Sequence, residues 1–424
     1  MALDVWCSPS TPSIGDYSLA LNSICTLTLQ VNVSGGNELS IVGAPTELAS
    51  ELAVIKQEQD ADKDLHRLFW VEFGALRLAF VRLTGGRVKG ECGAGGAVGL
   101  RDCAGGLLYV GNGVNKNNPV ALLNATGSVI FEEGRAKYGG GLMAWGNEST
   151  IWMGVGSEVK GNWARSKGGG IYVTSGSSLT TVGSFIHSNT AHFNGGGGVY
   201  LYDRSTLTTV NSVVHSNTAG GSGGGVSLES SSTLTTVDSI IHSNIAGSSG
   251  GGVFLQGKNS LSMTDSILQN NTASKFGGGV YALSSRLIKF ISTLFLANTV
   301  KQGNGGGAYV SVCTTLHISD SSFQHNIATG TIFSQGGGLS LSQVQKSLVL
   351  KNISFESNLV EAGPDTITKV TDFFQASGGG LHLDSILATA NCTLSLLSFV
   401  SNTAIGHGGG ATLVDVTAGE SLLN

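Results

Sequence analysis

The chain has 424 residues, of which 64 are glycine and 5 proline; 12% are charged, 41% are hydrophobic, and the formal net charge is −5. Glycine stands at about twice its usual ~7% share and charge at about half its usual ~25%, which excludes a charge-rich disordered chain and a proline-rich collagen. The charge balance offers no footprint for nucleic acid or an anionic membrane surface, and no run of 18 apolar residues predicts a transmembrane helix.

The first thirty residues carry Asp4 and Asp16 and lack a basic start followed by an apolar core, so no signal peptide is visible. Four of the six cysteines, Cys7, Cys25, Cys92 and Cys103, fall in the first quarter. Their spacing suits local disulfides of open connectivity, with reduced buried thiols as the alternative. Residues 1–90 read as an N-terminal cap with opening coils: Leu27-Thr-Leu29, Leu39-Ser-Ile41 and Leu76-Arg-Leu78-Ala-Phe80 alternate as strands do. Between them Leu48, Leu52 and Ile55, spaced i, i+4, i+7 behind Pro45-Thr46, predict a short amphipathic helix near 46–58 lying over the open end.

Residues 91–424 repeat. A Gly-Gly-Gly tract begins at Gly139, Gly168, Gly196, Gly223, Gly250, Gly277, Gly305, Gly336, Gly378 and Gly408, at intervals of 27 to 31 residues save one of 42. In step with it come Asn189, Asn217, Asn244, Asn271, Asn298, Asn326, Asn358 and Asn402, each three residues after an aliphatic or Phe position such as Ile186 or Phe323. Leucine or isoleucine recurs seven residues before that position, from Leu179 to Leu348. Three short apolar stretches per repeat, separated by turn formers, are too short for helices. The expected fold is all-β: a right-handed parallel β-helix of about eleven to thirteen coils, each coil stacked ~4.8 Å on the last. The eight asparagines are expected to form an internal hydrogen-bonded ladder. The glycines should mark a corner that needs positive φ or close approach. The chain stops at Asn424, fourteen residues after the last triple glycine, which suggests a fragment, or an edge that a partner or a missing segment covers.

On the first strand of each coil the middle residue is expected to face outward, and it is Tyr172, Tyr200, Ser227, Phe254, Tyr281, Tyr309, Ser340 or His382 in successive coils. The five aromatics Tyr172, Tyr200, Phe254, Tyr281 and Tyr309 are the candidate binding residues, able to stack on sugar rings or dock a protein. The plainer alternative is an aromatic ladder between strands. Asp238 and Asp265 sit one coil apart, a spacing that a retaining glycosidase or a Ca²⁺ site can use, but Asp and Asn are what turns prefer. His187, His215 and His242 share a register and read as a solvated column rather than a metal site. The Leu-Thr-Thr-Val repeats at 179–182, 207–210 and 234–237 evoke a flat threonine face that breaks at Ser262, Lys289 and His317. No catalytic residue, metal site or cofactor is assigned.

Gly95-Gly-Ala-Val98 together with Phe295-Leu-Ala-Asn298, Phe323-Gln-His-Asn326, Phe355-Glu-Ser-Asn358 and Phe399-Val-Ser-Asn402 resembles the paired GGA[ILV] and FxxN repeats of the polymorphic outer membrane proteins of chlamydiae. The resemblance covers about residues 91–413, although Gly-Gly-Gly replaces Gly-Gly-Ala in later copies. It implies a surface-displayed β-helix used in adhesion. The expected function is a non-catalytic extracellular or cell-surface β-solenoid, an adhesin or structural surface protein that meets a glycan or protein partner on a cell or matrix surface. The alternative is a polysaccharide lyase or glycoside hydrolase on the same scaffold, which a cluster of mixed acids and bases on one sheet would favour.

Overall fold

The computed structural model describes residues 15–19, 23–27, 31–34, 36–44, 51–57, 67–72, 74–88, 105, 107–111, 121–330, 333–362, 375–386, 391–405 and 408–414. The chain divides into two compact units, Met1–Val213 and Val214–Asn424. The fold is an all-β, right-handed parallel solenoid of about eleven turns.

In the first unit each coil lays one strand on each of three faces. The first face stacks Phe69–Val71, Leu108–Gly111, Leu142–Trp145, Ile171–Thr174 and Val199–Tyr202 in parallel register. The second stacks Asn37–Gly43, Gly74–Ala79, Ala121–Ala125, Thr150–Met153, Ser178–Val182 and Thr206–Val210. The third stacks Ile24–Leu27, Ala53–Gln57, Val81–Thr84, Ile130–Glu132, Glu158–Lys160 and Phe185–His187. A separate narrow sheet follows the third face and holds Arg135–Tyr138, Trp163–Lys167 and Thr190–Ala191. Strands of the second and third faces bury alternate residues, as period-2 side chains must when one side meets the core.

The second unit repeats the plan. Its early coils have separate strands, such as Val253–Gln256, Ser260–Thr264 and Ile267–Gln269. Later, Ala308–Gln324 and Leu339–Glu356 run through all three faces without a break. These long strands bend at Val312, Asp320, Gln343 and Asn352, each at φ between 52° and 54°. The corner between second and third faces, held there by Asp320 and Asn352, falls on Asp238 and Asp265 in the earlier coils, at φ 47° and 48°. Asn and Asp enter that region more readily than most residues, which accounts for their recurrence there. Inside the unit the rings of Phe295, Phe323, Phe355 and Phe399 stack at centroid separations of 4.4, 5.2 and 5.1 Å.

The triple glycine has a different reason at each position. In the tract at Gly250 the first residue takes φ 67°, the left-handed region. A Cβ on Gly251 would lie 2.3 Å from the Gly278 carbonyl oxygen and 2.6 Å from the Thr272 nitrogen. A Cβ on Gly252 would press on the side chain of Asn271 at 3.2 Å.

No α-helix is formed among the described residues, and the helix expected near 46–58 gives way where it can be followed: Ala53–Gln57 is a strand, buried at Ala53, Ile55 and Gln57. Apolar residues at i and i+2 served that alternation rather than one face of a helix. Cys25 is disulfide-bonded; Cys7, Cys92, Cys103 and Leu48 lie outside the described residues.

Candidate functional site

The strip proposed for binding is largely buried. Tyr172, Tyr200 and Phe254 are 5%, 0% and 7% exposed, and Ser227, Ser340 and His382 in the same register are buried too; only Tyr281 and Tyr309 are half-exposed. The first face is covered on its outer side where the chain at the opening of the triple glycine lies against it. A Cβ on Gly196 would sit 2.7 Å from the Cβ of Tyr200, and one on Gly250 2.8 Å from that of Phe254. The rings face one another along the coils: Tyr172 on Tyr200 at 5.4 Å in the first unit, and Phe254 on Tyr281 at 5.2 Å and Tyr281 on Tyr309 at 5.5 Å in the second. Lys167 Nζ donates to the Tyr200 hydroxyl. Burial pushes the Tyr281 and Tyr309 phenols up, with the neighbouring Tyr309 adding to the effect at Tyr281.

The asparagines occupy the corner between the third face and the narrow sheet, each following a residue of positive φ such as Ser243 or Asn270. In the second unit Asn217, Asn244, Asn271, Asn298, Asn326 and Asn358 each donate from Nδ2 to Oδ1 of the next, ending at Asn402, over 2.9 to 3.0 Å. The backbone N–H of each also donates to that same Oδ1. In the first unit Asn162 Nδ2 donates to Asn189 Oδ1 in the same way, at 3.0 Å. Asn162 is a rung the repeat pattern did not name: Val159 stands three residues before it and Ala164 two after, but Trp152 holds the position seven residues before Val159 that is leucine or isoleucine in the later coils.

Asp238 and Asp265 hold the corners described above. His215 and His242 stack face to face at 4.8 Å, each Nδ1 3.1 Å from the hydroxyl of the next serine. His242 is half-buried, which lowers its pKa. The threonine face is only half outward, since Thr181, Thr209 and Thr236 are buried.

The structure does assemble a mixed acid and base cluster, on the outer side of the third face in the first unit. Arg82 Nη1 lies 3.2 Å from Glu132 Oε1, and Lys160 Nζ lies 3.9 Å from Glu132 Oε2 and 2.6 Å from Glu158 Oε2. His187 Nε2 is 3.7 Å from the same Glu158 oxygen. The neighbouring His187, with Lys160 adding a hydrogen bond and its charge, outweighs desolvation and holds the Glu158 carboxyl at about 2. The four coils that contribute these residues precede or open the regular array, where sequence spacing gave no common register. Among the described residues no group of three or more His, Cys, Asp or Glu side chains is placed to hold a metal ion.

The parallel three-faced coil and its inward asparagine rungs decide the family. The sequence model for the right-handed β-helix region matches residues 94–295 and 169–345, together more than half of the chain. The chain belongs to the right-handed β-helix family. Among solved structures this β-helix is similar to the A-module of the mannuronan C-5 epimerase AlgE6 from Azotobacter vinelandii, with a TM-score of 0.48 and 12% identity over 94% of this chain and 93% of that one. No curated protein matches its sequence.

Proposed function

We propose that this β-helix is a non-catalytic scaffold of the extracellular space or cell surface, an adhesin or structural surface protein. The observation that carries the reading is where the repeat's defining residues go. Asparagine, triple glycine and phenylalanine are each bound or packed against their own equivalents in neighbouring coils, so the repeat serves to build a stacked scaffold and leaves the outer positions to vary. A rigid array of that kind suits multivalent contact, where many weak bonds add. The resemblance of the repeats to those of polymorphic outer membrane proteins supports the same reading. The test is binding of the whole chain to cells, extracellular matrix and immobilised glycans; binding without turnover of any polysaccharide is the expected result.

A second reading has its own observation. The Arg82, Glu132, Glu158, Lys160 and His187 cluster brings ionisable groups of both signs onto one sheet, as a carbohydrate-active enzyme on this scaffold requires. If the parent chain depolymerises or modifies a polysaccharide and Glu158→Gln abolishes that activity while binding persists, the enzyme reading replaces the first.

A further inference from the structure

The narrow sheet of the first unit carries a concentration of positive charge that the fold does not need. Arg87 bridges to Arg135, and Arg135 is in register with Trp163, so three coils place Arg, Arg and Trp in one outward column. Between them and the core run the buried Ala136, Ala164 and Ala191. Lys137 and Arg165 follow at the next outward positions, and His192 follows Ala191 one coil on. Arg87, Arg135, Arg165 and His192 are exposed, and Lys137 and Trp163 half-exposed.

Among the described residues Arg87, Arg135, Lys137 and Arg165 are in no ion pair. The two carboxylates that precede Arg135 are engaged elsewhere, Glu132 with Arg82 and Lys160, and Glu133 with the hydroxyl of Thr84 at 3.0 Å. Like charges in register across parallel strands destabilise a sheet. The second unit shows what the position requires: the matching column is Ile245, Thr272 and Thr299, over inward Ala246, Ala273 and Val300. Beside the cations lies an aromatic run, with the Trp163 ring 6.0 Å from His192 and His192 4.4 Å from Phe193, which is 59% exposed.

We propose that this face binds an acidic glycan, a chain of sugars bearing carboxylate or sulfate groups. The proposal rests on the surface-scaffold reading and names the partner's chemistry. Cations repeated at the coil spacing match anions repeated along an extended polymer, and arginine offers paired donors to carboxylate or sulfate. The rings supply an apolar platform for a sugar face. Cations set ~4.8 Å apart from coil to coil are spaced more widely than the charges of a nucleic-acid duplex, one per ~1.7 Å of axis.

The experiment measures binding of the whole chain to heparin and to polygalacturonate, with dextran, a single-stranded DNA oligonucleotide and phosphatidylserine vesicles alongside, at low and physiological salt. The parent is expected to bind one or both acidic glycans, weaken with salt and ignore dextran. Arg135→Gln, Lys137→Gln and Arg165→Gln combined should lower affinity at least tenfold at an unchanged melting temperature, whereas Arg204→Gln, elsewhere on the surface, should not. Phe193→Ser should weaken binding severalfold and leave its salt dependence intact. Equal binding by the triple variant, absence of acidic-glycan binding, or tighter binding to DNA or vesicles would overturn the proposal. If parent and triple variant attach to cells alike, the site fails and the surface role stands; if the parent attaches to no cell, matrix or glycan, both fail.

Discussion

Replacing Asn271 by alanine removes a rung from the middle of the second unit, and the structure sets the cost. Asn271 Oδ1 accepts from the Asn244 backbone N–H at 3.1 Å and from Asn244 Nδ2 at 3.0 Å; its own Nδ2 donates to the Ile241 carbonyl at 2.8 Å and to Asn298 Oδ1 at 3.0 Å. Asn244, Asn271 and Asn298 are fully buried. Alanine leaves two buried donors of Asn244 without that acceptor, at about 1–3 kcal/mol each, and a small void besides. The expected loss is about 2–5 kcal/mol. Asn271→Asp should cost more, because it sets a second acceptor against Asn298 Oδ1 and the Ile241 carbonyl. The control is His242→Ala, a half-buried ring stacked on His215, which should cost under about 1 kcal/mol. Urea unfolding followed by circular dichroism gives the stabilities, and amide exchange at Asn244 localises the effect, since repeat proteins feel such changes mainly in adjoining coils. A loss below about 1 kcal/mol, with the Asn244 amide as protected as in the parent, would refute the reasoning.

Gly251→Ala forces a Cβ to within 2.3 Å of the Gly278 carbonyl and should destabilise by about 3 kcal/mol or more, whereas Gly257→Ala, with φ 87° and nothing within 4 Å, should cost about 1–2 kcal/mol of backbone strain; thermal melts compare the two. Because the Glu158 carboxyl titrates at about 2 rather than 4.5, its pairing stabilises the fold above pH 4.5 and loses that contribution as pH falls from there towards 2. Stability measured across that window should decline less steeply in Glu158→Gln than in the parent. Burial pushes the Cys313 thiol up to about 12 and raises that of the half-buried Cys392, so under native conditions a thiol reagent should label Cys392 first and reach Cys313 only on unfolding.

The fold was legible because its period is a physical constraint: a coil must return to the same register, so Asn244 and Asn271 fall 27 residues apart and each residue meets its own kind. Facing was less legible. Alternation places Tyr200 opposite the core, but cannot reveal that the chain at Gly196 lies against it. Ile55 satisfied a helical spacing and a strand alternation at once, and five residues were too few to separate them. The cluster around Glu158 and the basic sheet at Arg135 were invisible to composition for a related reason. Net charge averages over the chain, while stacking gathers residues about 28 positions apart onto one patch of about 5 Å spacing.

The central claim is that the repeat residues exist to stack coils in register, and removing one whole coil tests it most directly. Deleting residues 244–270 joins Ser243 to Asn271, preserving the ladder, because rungs Asn244 and Asn271 are 27 residues apart. Deleting about half a coil, residues 244–257, instead sets the second-face strand Ser260–Thr264 directly after the third-face corner at Ser243, so that the strands that follow meet strands of a different face. The account predicts that the in-register deletion keeps a β-rich circular dichroism spectrum and a cooperative melt close to that of the parent, while the shifted one loses cooperativity or does not fold. Equal melts for the two deletions, or failure of the in-register one, would contradict it.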